Sequence, residues 1–108
     1  MAQYNLARCY EDGEGVEKDE KEAVAWYRKA AEQGLAEAQY VLGCCYQNGI
    51  GVAQDEEQAL MWYWKAAEQG LAYAQVNLGR CFAKGFGLER DEKEATFWYL
   101  RAAEQGDE

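Results

Sequence analysis

Four cysteines, Cys9, Cys44, Cys45 and Cys81, are the only side chains of this 108-residue chain that offer thiolate chemistry. The chain has no histidine, serine or proline, and Thr96 is its single threonine. Without His or Ser the usual acyl-transfer triads cannot be assembled, and a cysteine nucleophile lacks the imidazole that would ionise it. The cysteines do not show the paired spacing of a zinc site, and no histidine completes one. Glu11-Asp12-Gly13-Glu14 matches a calcium loop in composition only, because the alternating ligands and the closing glutamate are missing. Gly13-x-Gly15 has neither a third glycine nor a preceding strand, so it is no nucleotide cradle. These residues predict no catalytic group, no metal site and no cofactor.

Charge narrows the partners. Twenty acidic residues against eleven basic ones leave a net charge of −9. A phosphate backbone is held by Lys and Arg, so a nucleic-acid partner is disfavoured. The surplus of acid fits a well-solvated outer surface. No apolar run approaches the ~20 residues of a membrane helix, so no membrane partner is expected. Met1 leads into no basic-then-apolar leader, so no signal peptide is expected either.

The elements that must position these residues come in threes. Ala2-Gln3-Tyr4-Asn5-Leu6 returns as Ala38-Gln39-Tyr40-Val41-Leu42 and as Ala74-Gln75-Val76-Asn77-Leu78, a step of 36 residues. Trp26-Tyr27 returns as Trp62-Tyr63 and Trp98-Tyr99. Such a period marks stacked units that cannot bury their apolar faces alone. One solenoid domain over 1–108 is expected, with repeats 1–36, 37–72 and 73–108. Three of the cysteines recur with this step. Stacked helices lie ~8–10 Å apart while a disulfide needs Cα atoms within ~7 Å, so equivalent cysteines should not bridge. Cys44 and Cys45 are neighbours on one helix, which opposes a bond there too. Free, mostly buried thiols are expected, and they lean toward a reducing, cytoplasmic compartment.

Within a unit, Ala2, Leu6, Cys9 and Tyr10 form one apolar stripe of a helix, helix A, over roughly residues 1–12. Gly13-x-Gly15, Gly49-x-Gly51 and Gly85-x-Gly87 end it, since glycine accepts the left-handed backbone of a helix stop. Val16, Val52 and Leu88 follow, placed to plug the base of the helix pair. Asp19 opens helix B, and Glu22 three residues later makes a capping-box pattern, repeated by Asp55 with Gln58 and Asp91 with Glu94. Ala23, Trp26, Tyr27, Ala30 and Ala31 give helix B its buried stripe, and Gly34, Gly70 and Gly106 end it. The fold class is all-α: an α/α superhelical solenoid of three helix-turn-helix repeats, stacked with a right-handed twist.

The string Leu42-Gly43-x-x-Tyr46-x-x-Gly49-x-Gly51-Val52-x-x-Asp55, followed by Ala59-x-x-Trp62-Tyr63-x-Lys65-Ala66-Ala67-x-Gln69-Gly70-x-x-x-Ala74-Gln75, resembles the Sel1-like repeat, a relative of the tetratricopeptide repeat. The resemblance spans essentially the whole chain. It implies an adaptor that assembles other proteins, as in signalling, protein quality control and bacterial host interaction. Two departures stand out. Ala7 replaces the glycine of Gly43 and Gly79, and Leu35 and Leu71 stand where the family often has a capping Asp or Asn. Asp107 keeps that residue.

In tetratricopeptide-like stacks helix A lines the concave groove. The variable residues expected there are Tyr4, Arg8 and Glu11, then Tyr40, Cys44 and Gln47, then Val76, Arg80 and Ala83, flanked by Glu37, Tyr73 and Lys84. Arg8, Arg80 and Lys84 beside tyrosines suit an acidic or C-terminal peptide. The chaperone-binding carboxylate clamp is not matched, since it wants Lys at the Tyr4 place and Asn at the Arg8 place. A second variable patch, Met61, Trp64, Phe97 and Leu100, is expected on the outer face of helix B. It would serve self-association or pack against the next helix pair. Two other readings stay open. Some cysteine-rich relatives of the family are credited with β-lactam binding or hydrolysis, but their cysteine places hold Ala31 and Ala38 here. Sixteen of the 36 positions are identical in all three units, which also fits an idealised or engineered array with no ligand of its own.

Overall fold

A computed structural model describes residues 2–13 and 19–106. Six helices follow in order: α1 (Ala2–Asp12), α2 (Glu20–Glu32), α3 (Ala36–Asn48), α4 (Glu56–Glu68), α5 (Ala72–Lys84) and α6 (Glu92–Gly106). No strand occurs among the described residues. Each helix packs chiefly on its neighbours in the chain, α1 on α2, α2 on α3, and so on to α6. The molecule measures 44 × 32 × 20 Å, and its thin dimension is about two helix diameters. This is the all-helical repeat solenoid that the 36-residue period predicts.

The turns explain the glycines. Gly49 and Gly85 sit at φ +69° and +75° at the ends of α3 and α5, and their amides donate to the carbonyls of Cys45 and Cys81. Gly13 does the same after α1, at φ +75°, donating to Cys9. The second glycine of the pair has a different task. A Cβ on Gly51 would lie 2.5 Å from the Glu20 carbonyl oxygen, so this turn rests directly on the preceding unit's helix. Helix B ends in a two-bond lock: Gly34 donates to the Ala31 carbonyl while Leu35 donates to that of Ala30. That is the Schellman arrangement, and Gly70 with Leu71 repeats it. The described part of α6 ends at Gly106 itself.

The capping box is only half realised. Asp55 accepts from the amides of Glu57 and Gln58, and Asp19 accepts from Glu22. The reciprocal bond is absent because the Asp amide is already used. Asp19, Asp55 and Asp91 donate instead to the carbonyls of Tyr10, Tyr46 and Phe82 at 2.8–2.9 Å, tying helix B to helix A. Leu35 and Leu71 give their helices no side-chain cap. They pack against the apolar core instead.

The core is the seam between helices. Ala59, Tyr63, Ala66, Ala67, Ala74, Leu42 and Leu78 are completely buried. Alanines let the helices approach closely while the Tyr and Trp rings fill the space between them. A Cβ on Gly43 or Gly79 would stand 2.8 Å from the ring of Tyr63 or Tyr99. Repeat one carries Ala7 at that place, fully buried beside Tyr27. Val52 and Leu88 pack against the core as expected; Val16 lies outside the described residues.

Two buried glutamines bolt the units together. Gln39 Nε2 donates to the Ala31 carbonyl and Gln75 Nε2 to that of Ala67, both at 3.1 Å across the joint between repeats. Their oxygens accept from Gln69 and Gln105 at 2.8 and 2.7 Å. Each buried amide therefore has both ends satisfied, which buried polar groups require.

Candidate functional site

The expected groove residues lie on α1, α3 and α5 along a face lined with aromatic rings. Tyr4 meets Tyr27 edge-on at 5.6 Å between ring centres. Tyr40 lies 5.9 Å from Tyr63 and 6.1 Å from Tyr73, bridging repeats two and three. Tyr73 is 71% exposed, so one ring of this line is open to a ligand. Arg8, Glu37, Arg80 and Lys84 are exposed, whereas Val76 and Cys44 are partly buried.

The helix-B tyrosines reach this face from behind. Tyr27 donates its hydroxyl proton to Glu11 Oε1 at 2.5 Å, and Tyr63 donates to Gln47 Oε1 at 2.5 Å with Cys44 Sγ 3.5 Å away. Burial pushes both phenols well above their usual range, helped by Glu11 in one case and Cys44 in the other. Both hydroxyls therefore stay protonated donors at neutral pH. Glu11 and Gln47 are engaged by them rather than free. The single-unit pattern assigns Tyr27 and Tyr63 to the core, where their rings are, and misses that their hydroxyls emerge at the face. The signal was available, since Tyr rather than Phe stands at this place in all three units.

One part of the face is recessed. A cavity of about 180 Å³ is lined by Gln47, Asn77, Arg80, Cys81, Lys84 and Phe86. It joins Arg80 and Lys84 with Gln47 across the joint of repeats two and three. Arg8, Tyr4 and Glu11 do not belong to it. Among the described residues the ion pair present is Arg90 with Glu92, so neither Arg80 nor Lys84 is neutralised by a carboxylate there. Burial raises the Tyr40 phenol, with Cys44 adding to the effect and Asn77 and Arg80 opposing it. Asn77 and Phe86 are additions to the predicted set, because one flanks the predicted stripe and the other sits inside Gly85-x-Gly87.

The thiols are free, as expected. Cys45 and Cys81 are buried, and that burial pushes them up to about 12 and about 11. Glu11 adds to the rise at Cys45, and Glu56 at Cys81. Neither is a thiolate at neutral pH. Among the described residues no cluster of three or more Cys, Asp or Glu could hold a metal. No helix is long and apolar enough to cross a membrane.

The outer patch divides. Met61, Phe97 and Leu100 are 39%, 47% and 59% exposed. Trp64 is partly buried, edge-on to Phe82 and Trp98 at 5.5 and 6.3 Å. It closes the joint to the next unit rather than facing outward. Arg28, at the same place in repeat one, does likewise by lying over the Tyr46 ring and donating to its hydroxyl.

Comparison with known proteins agrees with this architecture. A Sel1 repeat protein from Oxalobacter formigenes is 46% identical, with a TM-score of 0.95 over 98% of this chain. The c5321 protective antigen of uropathogenic Escherichia coli, which displays an SLR fold, is 45% identical, with a TM-score of 0.94 over 97% of this chain. The present chain spans 44% and 22% of the lengths of these two proteins. Cysteine-rich protein B of Helicobacter pylori shares the fold at 22% identity, with a TM-score of 0.81 over 94% of this chain and 84% of its own. Among curated proteins none matches the chain. The Sel1 repeat profile matches three times, at residues 1–35, 36–71 and 72–107. The chain belongs to the Sel1 repeat family.

Proposed function

We propose that this chain is a non-catalytic interaction module that holds an acidic, extended peptide segment along the face of α1, α3 and α5. Sel1 repeats are typically protein-interaction modules, and the peptide chemistry is the finer reading. The observation that carries it is the cationic pocket of Arg80 and Lys84 in a chain of net charge −9. Cations that meet no carboxylate among the described residues, in so acidic a chain, suit a partner's carboxylate, with Gln47 and Asn77 as polar neighbours. The open ring of Tyr73 beside Tyr40 offers apolar contact to the flanking residues. Arg8 extends the positive face toward repeat one.

Fluorescence polarisation with short labelled peptides ending in Asp or Glu tests the reading, together with the same peptides amidated. Reversing Arg80 and Lys84 to Glu should weaken binding by roughly tenfold or more, and added salt should weaken it further. Equal capture of every peptide and partner by the intact chain and by an Arg8/Arg80/Lys84 charge-reversed variant would remove the groove. It would favour an array without a ligand of its own.

A further inference from the structure

Tyr27 and Tyr63 stand at one place in successive units, and each hydroxyl meets a side chain at one place on its own helix A. The partner is Glu11 in repeat one and Gln47 in repeat two, in both cases through Oε1 at 2.5 Å. A carboxylate only accepts, so the Tyr27 hydroxyl donates. The matching geometry assigns the same direction to Tyr63, whose other neighbour, Cys44 Sγ at 3.5 Å, is a weak acceptor. With Oε1 taken, Gln47 has its NH2 group left to offer, and it lines the cavity together with Asn77, Arg80 and Lys84. The joint of repeats one and two is the contrast. Thirty-six residues earlier, the places of Gln47, Asn77, Arg80 and Lys84 hold Glu11, Val41, Cys44 and Asn48. The neutral amide and the two cations therefore occur together, and the carboxylate stands where neither cation does.

We infer that Tyr63 is a positioning residue: its hydroxyl fixes the Gln47 amide with the NH2 group toward the cavity. Gln47 then joins Arg80 and Lys84 as a third donor, and the pocket selects a carboxylate over a carboxamide. This rests on the peptide-binding reading above and adds the source of its selectivity. A carboxylate presents acceptors alone and pairs with all three donors. A carboxamide of the same shape sets its own NH2 against that of Gln47, and two donors left facing each other are costly. An amide able to turn would meet that ligand with its oxygen, and the distinction would weaken. The Tyr63 hydroxyl prevents the turn without touching the ligand. Glutamate at this place, as in repeat one, would set a like charge against the ligand's carboxylate.

Fluorescence polarisation with three labelled peptides, otherwise uncharged and alike, tests the proposal. One ends in Asn with a free carboxyl, one in Asp as the amide, and one in Asn as the amide. The first two carry a single carboxylate, on the main chain or on the side chain, and the tighter of them shows which source the pocket takes. Selectivity is the preference for that peptide over the third. Tyr63→Phe removes one oxygen and should lower selectivity about fivefold by tightening the Asn amide, with the salt dependence of carboxylate binding unchanged. Gln47→Glu should weaken the carboxylate peptides by roughly tenfold and leave the Asn amide nearly unchanged. In the intact chain, the Gln47 side-chain amide protons should move downfield in NMR with the carboxylate peptide and not with the Asn amide. Unchanged selectivity in Tyr63→Phe, with binding still lost when Arg80 and Lys84 are reversed, would overturn this inference and leave the peptide reading standing. Static Gln47 resonances at saturation with the carboxylate peptide would overturn it too. An intact chain that captures none of the three peptides would remove both.

Discussion

Tyr63 and Tyr99 occupy the same place in successive units, yet Tyr63 is fully buried and Tyr99 is 37% exposed. Both rings back onto a glycine of their own helix A, Gly43 and Gly79, with matching geometry. What differs is α5, which covers α4, whereas no described helix covers α6. Half of a repeat's core therefore belongs to the unit that follows it. Interiors built this way gain stability from interfaces more than from single units.

Substitutions that separate the two regions should differ most where the covering helix matters. Tyr63→Ala should cost ~3–5 kcal/mol in urea unfolding and Tyr99→Ala roughly 1–2 kcal/mol; equal costs would break the contrast. Next come the second turn glycines, both near φ +74°, where a Cβ would lie 2.5 Å from a carbonyl oxygen at Gly51 and 3.0 Å at Gly87. Gly51→Ala should cost ~2–3 kcal/mol and Gly87→Ala nearer ~1–2 kcal/mol, combining left-handed strain with collision.

Alkali should act on the buried thiols. Cys45 and Cys81 are held at about 12 and about 11 in the folded chain, above the ordinary value of 9.0. Between those values the folded protein keeps protons that the unfolded chain has lost. Stability is thus intact below pH 9 and falls as pH rises through 9 toward 11–12, by up to ~1.4 kcal/mol per pH unit for each thiol. Urea midpoints should be flat near neutrality and decline above pH 9, and Cys81→Ala should flatten that slope. The smallest effect expected is at the cap: Asp55→Ala should cost ~1 kcal/mol by the same measurement.

Much of this was legible because it is local. The Gly-x-Gly stops, the alanine stripe of helix B and the Asp caps follow from backbone chemistry within a few residues. Contacts between units were not. A helical wheel drawn on one unit leaves Trp64 between an outer contact and packing on the next helix pair, since it cannot show Phe82 arriving from the next helix A. The Glu half of the capping box failed for a similar reason, because the Asp19 amide was already bonded to Tyr10, nine positions back. The groove face was half legible: Arg80, Lys84 and the tyrosines stand out as variable residues on helix A. The hydroxyls of Tyr27 and Tyr63 arrive from helix B, and Asn77 and Phe86 join the cavity only when α3 and α5 are side by side.

The glutamine bolts constrain how such a chain can change its length over generations. Gln39 finds the Ala31 carbonyl only because eight residues separate them. Inserting one residue ahead of Gln39 within α3 would swing its amide by about 100° around the helix. Duplicating or deleting a complete 36-residue block leaves every such spacing intact. Lineages of this chain should therefore gain and lose material in whole modules, with single-residue indels confined to stretches outside the span from one bolt to its anchor.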